Sequence, residues 1–422
     1  MAKLTALRGT YDLIPPEILR WQEMESVARD VLSRACYEEI RTPVFERTEL
    51  FERGVGEATD IVSKEMYSFE SRSGDRITLR PENTAGVVRA FLEHGWRSTR
   101  PMPARLYYIG PMFRYERPQK GRQRQFHQLG VEVLDTADPR ADAEVILVAC
   151  EYLRDLGLHD LVVDLNSLGD GEDRGRFRDA LVQYLESVRD RLDAESQERI
   201  GRNPLRVLDS KNEGTRDALR DAPSILDYLG GDARAHFEQV QAMLTAAGIE
   251  YRVQPTLVRG LDYYSRTTFE IHSSRLGAQS ALCGGGRYDG LVAELGGPQV
   301  PAVGWALGLE RLAIVLREVR GEPVGSGPVA FLITQGNDAE RAGLVLARDL
   351  RRAGVRCEIS MVRGGFGKQF KAADRRDAKF AVVLAEEEMR NGTASVKNLA
   401  TGEQQVVPRE QVAARLLGES TS

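Results

Sequence analysis

The chain has 422 residues, of which 42% are hydrophobic and 29% charged, and it carries a formal net charge of -5 at pH 7. That length accommodates two or three domains with cores of their own, and the acidic balance (pI near 5.8) excludes indiscriminate nucleic-acid binding, so any contact with RNA must come from local basic patches. No apolar run approaches the roughly 20 residues that span a bilayer, the opening MAKLTALRGTYD lacks the apolar core of a signal peptide, and Cys36, Cys150, Cys283 and Cys357 are too scattered for a zinc knuckle or a disulfide framework. The expectation is a cytoplasmic protein with no membrane contact and no metal-ligating cluster.

Arg8-Gly9-Thr10-Tyr11-Asp12, followed by Pro15-Pro16, predicts a turn into a helix. Trp21, Met24, Ala28, Val31 and Ala35 recur at alternating three- and four-residue steps, so that helix has one buried face. Residues 40–46 read as a strand that Pro43 places at an edge or bend. Residues 65–69 and 76–79 read as paired strands around Ser73-Gly74, ending in Arg80-Pro81-Glu82-Asn83-Thr84. Pro81 stops the strand, and Asn83 or Thr84 can cap the helix that follows through Val87, Val88 and Phe91. Glu82 and Thr84, a carboxylate beside a hydroxyl at a strand end, suit an ammonium group, although the same pair also reads as a plain helix start.

The stretch 113–132, FRYERPQKGRQRQFHQLGVE, sets Arg114, Arg117, Lys120, Arg122 and Arg124 against Glu116 in the loop, with Glu132 as the only other acid, at its far end. It predicts a β-hairpin, with 106–109 as one strand, 118–121 as the turn and 126–133 as the return. Such a loop can close over a polyanion, because guanidinium forks match phosphate oxygens bidentately and Phe126 offers a flat face for a base. A basic surface hairpin is the plainer reading of the same charges.

A helix at 141–156 and a strand at 161–165 complete a first block, and the charged sequence from 171 to 254, with helices at 178–191 and 235–247, predicts an inserted helical domain. Leu257-Val258-Arg259-Gly260-Leu261-Asp262-Tyr263-Tyr264 reads as a strand into a tight turn, followed by a strand at 267–271. Cys283-Gly284-Gly285-Gly286-Arg287-Tyr288-Asp289-Gly290 by itself reads as a glycine turn. AVGWALGLERL, 302–312, is a strand turning into a helix, and the turn formers of 321–328 mark a linker. Beyond it, strands and helices alternate as βαβαβ; strands near Ser395 and Gln405 and a last helix complete a small α/β domain. Between Met361 and Lys379, six basic residues face two acids, a second patch that RNA could use.

In order, and over nearly the whole chain, these segments resemble the histidyl-tRNA synthetases of the class II aminoacyl-tRNA synthetases. The first helix with the 40–46 strand resembles motif 1, 113–132 motif 2, and 302–312 motif 3, in which Gly308 lets the helix pack closely. Residues 80–84 are similar to the family's Arg-Pro-Glu-Gly-Thr, with Asn83 where glycine is common. The octet and the 283–290 segment resemble the two histidine signatures, the second with glycines that let a ligand approach the backbone. The last domain is similar to the anticodon-binding domain of the histidyl, threonyl, prolyl and glycyl enzymes. The implied fold is an α+β catalytic core with an antiparallel sheet, an inserted helical domain and a C-terminal α/β anticodon-binding domain. Its divisions are 1–170 and 255–320 for the core, 171–254 for the insertion, 321–328 for the linker and 329–422 for the last domain.

The resemblance implies activation of L-histidine with ATP to histidyl-adenylate and pyrophosphate, then transfer of histidine to the 3' end of tRNA(His). A carboxylate is already ionised at pH 7 and needs no general base, so positioning and charge stabilisation carry the chemistry. By position, Arg114 and Arg259 hold the histidine carboxylate and the α-phosphate; Arg259 replaces a divalent cation there, while Mg²⁺ accompanies the pyrophosphate half. Glu116 and Phe126 take the adenine side, and Arg122 and Arg311 the outer phosphates. Glu82, Thr84 and Gln128 take the α-amino group, Glu132 and Tyr264 the two imidazole nitrogens, with Tyr263 and Tyr288 in the same histidine site. Arg117, Gln119 and Arg124 fall to tRNA, and motif 1 implies a homodimer. A non-catalytic regulatory subunit of ATP phosphoribosyltransferase resembles the same core but typically lacks the C-terminal domain and parts of the signatures; here Arg259, Arg311 and residues 329–417 are all present.

Overall fold

The computed structural model describes residues 3–56, 59–258, 261, 263–273, 281–323, 325, 327–362 and 364–418. Arg259, Gly260 and Asp262, the centre of the octet, therefore lie outside the described residues. The chain forms two compact units, Met1–Pro323 and Val324–Ser422.

In chain order the strands of the first unit are β1 (Glu38–Glu39), β2 (Phe45–Arg47), β3 (Tyr67–Glu70), β4 (Arg76–Leu79), β5 (Ala104–Phe113), β6 (Gln125–Leu134), β7 (Leu161–Ser167), β8 (Tyr251–Val253), β9 (Ser265–Ser273), β10 (Ala281–Arg287) and β11 (Ala302–Gly308). Eight of them form one sheet in the order β1-β5-β6-β11-β10-β9-β7-β8, while β2, β4 and β3 form a small second sheet. Every pair from β5 to β7 is antiparallel, and only the outermost pairs, β1 with β5 and β7 with β8, are parallel.

The period-two alternation of side chains along a strand decides what each face of this sheet does. Leu129, Val131 and Val133 of β6, with Tyr107 of β5 and Val303, Trp305 and Leu307 of β11, point into the larger core. Trp21, Met24, Val31 and Leu32 of helix Glu17–Arg34, Val145 and Ile146 of helix Pro139–Asp155, and Leu312 and Leu316 of helix Leu309–Arg320 cover that face. Ala35, expected in the buried stripe, is one residue past the helix and only half-buried; Leu32 takes its place. The alternate residues Gln128, Gly130 and Glu132 of β6 are left for the opposite face, where Tyr108, Tyr263, Tyr264 and Tyr288 cluster with Val87, Val88 and Phe91 of helix Thr84–Glu93.

The 40–46 segment is not one strand. It leaves the large sheet after Glu39 and enters the small one at Phe45, with Pro43 between them. Arg80 holds the bend, its Nη1 donating to Thr42 O (3.1 Å) and Pro43 O (3.5 Å) and its Nε to Pro111 O (2.9 Å). The glycine turn expected at 283–290 is confined to its end, at Asp289-Gly290: Cys283 to Arg287, with Gly284, Gly285 and Gly286, run as β10 through the middle of the sheet. A Cβ on Gly285 would stand 2.6 Å from Trp305 Cβ, so at that position the neighbouring strand, and not a ligand, occupies the space that glycine leaves, whereas Gly284 lines a cavity. Before Tyr264, the described residues of the octet carry no strand.

Asp170 opens the inserted segment with a capping box, its side chain accepting from Glu172 N and Asp173 N. Phe177, Leu181, Leu185, Ile200, Val207 and Ile225 make a small core of their own. Helix Gly231–Ala246 instead sends Phe237, Val240 and Leu244 into the large core, and β8 closes the edge of the main sheet. The stretch 171–254 thus divides into a lobe and a return to the sheet.

In the second unit, β12 (Ala330–Thr334), β13 (Cys357–Ile359), β14 (Phe380–Leu384), β15 (Thr393–Asn398) and β16 (Gln404–Pro408) order as β13-β12-β14-β15-β16. Alternation again splits the faces: Ala330 and Leu332 pack with helix Asn337–Arg352, Phe331 and Ile333 with helix Phe366–Arg375. Lys368, Lys371, Arg375, Arg376 and Lys379 of the expected basic patch are exposed; Arg363 lies outside the described residues.

Candidate active site

A cavity of about 500 Å³ opens on the tyrosine-lined face of the large sheet. Glu82, Thr84, Arg114, Glu116, Arg122, Phe126, Gln128, Glu132, Tyr263, Tyr264, Tyr288 and Arg311 all line it, gathered from segments more than 200 residues apart in sequence. The long β5–β6 hairpin, paired from Ala104–Leu134 to Phe113–Gln125, supplies its floor.

Glu132 lines this cavity and is 1% exposed. Its Oε1 accepts from Thr84 Oγ1 (2.7 Å) and Tyr108 Oη (3.4 Å), and its Oε2 from the Tyr288 hydroxyl. Among the described residues its hydrogen-bond partners are these three hydroxyls and no cation. Burial therefore dominates and pushes its carboxyl up to about 8, against the downward pull of the Tyr288 and Thr84 hydroxyls. Gln128, on the same face of the same strand, has a buried Oε1 with no hydrogen-bond partner among the described residues.

Glu82 caps the helix that Asn83 or Thr84 was expected to cap. Its Oε2 accepts from Thr84 N (2.7 Å) and its Oε1 from Ala85 N (3.0 Å), which places a carboxylate against the positive end of the helix. Asn83 instead faces the bend: its Oδ1 accepts from Thr42 Oγ1 (2.5 Å) and Arg80 Nη1 (3.2 Å). The residue that departs from the family's glycine is thus part of the scaffold. Burial raises the Glu82 carboxyl, and the two backbone donors oppose that.

The cations stand toward the hairpin tip. Arg114 donates from Nε to Pro81 O (2.9 Å), and its guanidinium sits 5.2 Å from the centre of the Phe126 ring. Arg122 pairs with Glu116 at 3.5 Å, and Arg311 Nη1 donates to Ala281 O (2.8 Å). Burial, then the like charge of Arg122, lowers the Arg311 pKa from its ordinary value, although a guanidinium stays charged at any physiological pH. Gly308 also lines the cavity, and a Cβ there would meet open space, so it is not a point of close helix packing. Arg117 and Gln119 are exposed at the tip and outside the cavity lining. Arg124 is engaged elsewhere, stacked 3.9 Å over the Tyr115 ring and bonded to Glu116 O and Arg8 O (both 3.4 Å).

Sequence reasoning missed Tyr108, Glu65, Glu270 and Arg206, all on the cavity wall. Tyr108 was open to discovery: it is a polar-tipped residue at the face parity of Glu132, on the adjacent strand of the predicted hairpin. Arg206 comes from the inserted lobe and pairs with Asp60 at 3.6 Å, a long-range contact that no local pattern announces. Among the described residues no group of three or more His, Cys, Asp or Glu side chains is disposed to hold a metal ion, and no helix is long and apolar enough to cross a membrane.

The mixed sheet, antiparallel across its centre, with a polar cavity on one face, fits the catalytic core of a class II aminoacyl-tRNA synthetase, the class to which the relatives of this chain belong. Residues 9–312 match the histidyl-tRNA synthetase family and residues 329–419 the anticodon binding domain. The histidine-tRNA ligase of Picosynechococcus sp. is 57% identical over 416 residues, covering 99% of this chain and 97% of that one. The histidine-tRNA ligase of Thermosynechococcus vestitus is 56% identical over 409 residues, 97% of this chain and 95% of that one. The apo structure of S. aureus histidyl-tRNA synthetase superposes with a TM-score of 0.82 at 35% identity, covering 98% of this chain and 100% of that chain. The chain belongs to the histidyl-tRNA synthetase family.

Proposed function

We propose that the chain is a histidine-tRNA ligase, which joins L-histidine to ATP as histidyl-adenylate, releases pyrophosphate and passes histidine to the 3' end of tRNA(His). The observation that carries this reading is Glu132, a buried carboxyl lining the cavity, bonded among the described residues by three hydroxyls and no cation. A group so placed is expensive to bury unless a ligand completes it, and an imidazole N–H does so. Tyr264 takes the second ring nitrogen, with Tyr263 and Tyr288 walling the ring.

The α-ammonium group lies among Glu82, Gln128 Oε1 and the Thr84 hydroxyl, which donates to Glu132 and keeps lone pairs for a cation. Arg114 and Arg259 bring the histidine carboxylate to the α-phosphate, Phe126 and Glu116 hold the adenine, and Arg122 and Arg311 the outer phosphates. Mg²⁺ accompanying ATP would supply charge neutralisation at the outer phosphates. Glu270, on the cavity wall with Arg311, is the carboxylate that would hold it, since such a cation needs only one or two protein carboxylates. Arg117 and Gln119 face the acceptor end of tRNA, Arg124 orders the hairpin that carries them through Tyr115 and the Glu116 and Arg8 carbonyls, and the second unit, with its exposed Lys368, Lys371 and Arg375, faces the anticodon. A homodimer and a cytoplasmic location belong to the same proposal.

Histidine-dependent exchange of pyrophosphate into ATP, followed by charging of tRNA(His), tests the reading. Exchange with histidine alone among the amino acids is expected; its absence in the full-length protein would favour the non-catalytic regulatory subunit.

A further inference from the structure

Arg287 ends β10, is fully buried, and points away from the chemistry just described. Its Nε donates to Asp142 Oδ1 (3.2 Å) and its Nη2 to Asp142 Oδ2 and Asp138 O (3.4 Å), while Nη1 donates to Thr136 O (2.8 Å) and Asp289 Oδ1 (3.1 Å). These five contacts match the five N–H groups a guanidinium carries. Burial raises the Asp142 carboxyl, but Arg287 and His236, whose Nε2 is 3.2 Å away, outweigh it and hold the group below its ordinary value.

The partners are not scattered. Thr136, Asp138 and Asp142 follow directly from β6, the strand that carries Glu132. Tyr288, the next residue after Arg287, sends its hydroxyl to Glu132 and its N–H to Ala302 O (2.8 Å), and Asp289 Oδ1 also accepts from Ala302 N (3.1 Å). One guanidinium therefore fixes the end of β10, just before Tyr288, against the segment leaving the strand that bears Glu132. A buried ion pair contributes little net stability compared with apolar residues of the same volume, so its use here calls for a geometric account.

We propose that Arg287 is a positioning residue of the histidine subsite, which sets the Tyr288–Glu132 hydrogen bond through its clamp on Asp142, Asp289 and the 136–138 backbone. The inference rests on the reading of Glu132 and Tyr288 as the imidazole end of the cavity. Lysine, with three donors on a point charge, cannot span the same partners.

Pyrophosphate exchange at varied histidine and varied ATP, on full-length wild type, Arg287→Lys, Tyr288→Phe and the double variant, decides it. Arg287→Lys is expected to raise KM for histidine about tenfold and to leave KM for ATP within about twofold, the split that separates positioning of one substrate from general damage. In the Tyr288→Phe background it is expected to add less than about twofold, because both changes act on one hydrogen bond. Multiplying effects, or an equal rise in KM for ATP, overturn the proposal and leave the histidine pocket standing. An unchanged KM for histidine in Tyr288→Phe overturns both. If Arg287→Lys does not fold, Asp289→Asn, which loosens the same clamp from its more exposed side, takes its place in the cycle under the same criteria.

Discussion

Gly304 lies directly opposite Glu132 across the β6–β11 pair, and a Cβ at that glycine would fall 2.9 Å from Glu132 Cδ and still closer to Oε2. The carboxylate occupies the space a side chain would take. Gly304→Ala is therefore expected to push Glu132 off its three hydroxyls, raising Kd for histidine at least about tenfold and leaving ATP binding within about twofold. The same methyl also meets Val131 O, so the melting temperature falls by several degrees, on the scale of about 1–3 kcal/mol for overpacking. Calorimetric titration of each substrate checks the first part; an unchanged histidine affinity would place Glu132 in the scaffold and not in the site.

Glu132 also predicts a pH signature for the ligand-free protein. Its carboxyl is raised to about 8 by burial, above the roughly 4.3 of an unfolded glutamate. Between those values the native state keeps a proton that the unfolded chain has released, so native binds more protons and stability falls as pH rises. The contribution is complete below about pH 4.3 and lost as pH climbs through about 8. Glu132→Gln removes it, so the melting temperature of the variant should depend less steeply on pH between about 5 and 8 than that of wild type. Parallel curves for the two proteins would refute the shift.

The local rules of the sequence reached most of this architecture, and their failures share one cause. The hairpin, the helix after Pro81 and the strand-to-helix turn at 302–312 are set by neighbours in sequence, and they form as expected. The glycines of β10 look like a turn because glycine density usually means one; what makes them a strand is Trp305 on the adjacent strand, invisible to a local reading. The 40–46 segment splits because Arg80 pins its bend from 38 residues away. Tyr108 and Arg287 were missed for the same reason, since each acts through a partner on another strand or helix. Arg114, Glu116, Arg122 and Phe126 stood out because their shared loop concentrates charge in a way that survives without the fold.

The small sheet supplies a test of assembly. Phe45 and Phe69 are 53% and 50% exposed, and the registers Phe45 with Leu79, Tyr67 with Leu79 and Phe69 with Ile77 put them on one face. An apolar face of that kind suits burial against a second copy. Sedimentation is expected to give a dimer at micromolar concentration, and Phe45→Glu with Phe69→Glu to shift it toward monomer. A wild-type monomer would remove the motif 1 role.

Modularity can be probed by ending the chain at Pro323. Helix Leu309–Arg320 runs past Leu316, and Arg20 Nη2 donates to Gly321 O (2.6 Å), so an earlier cut would damage the first unit. The shortened protein is expected to keep pyrophosphate exchange within about tenfold of wild type and to lose charging of tRNA by a larger factor, because the cavity lies wholly in the first unit. Equal loss of both activities would mean that the second unit takes part in histidine activation.

The chemistry itself turns on fixed positive charge where the histidine carboxylate meets the α-phosphate. The role proposed for Arg114 has support in its setting. Its Nε is tied to Pro81 O and its guanidinium rests near the Phe126 ring, which fixes the group before a ligand arrives and leaves the Nη groups for anionic oxygens. A lysine would keep one charge but lose the tether and the fork. Arg114→Lys is expected to retain the fold and most ATP affinity while slowing adenylate formation about a hundredfold or more, the scale for losing one preorganised charge donor. Arg259 shares that role in the proposed reaction, and on that proposal Arg259→Lys is expected to match it. Transfer from preformed histidyl-adenylate to tRNA should slow less in both variants, because the α-phosphate is then part of the leaving group and no longer the centre attacked. Single-turnover measurement of each step decides the matter. An activation rate within a few-fold of wild type would remove the residue concerned from the reacting centre, and equal slowing of both steps would recast it as a general binding group.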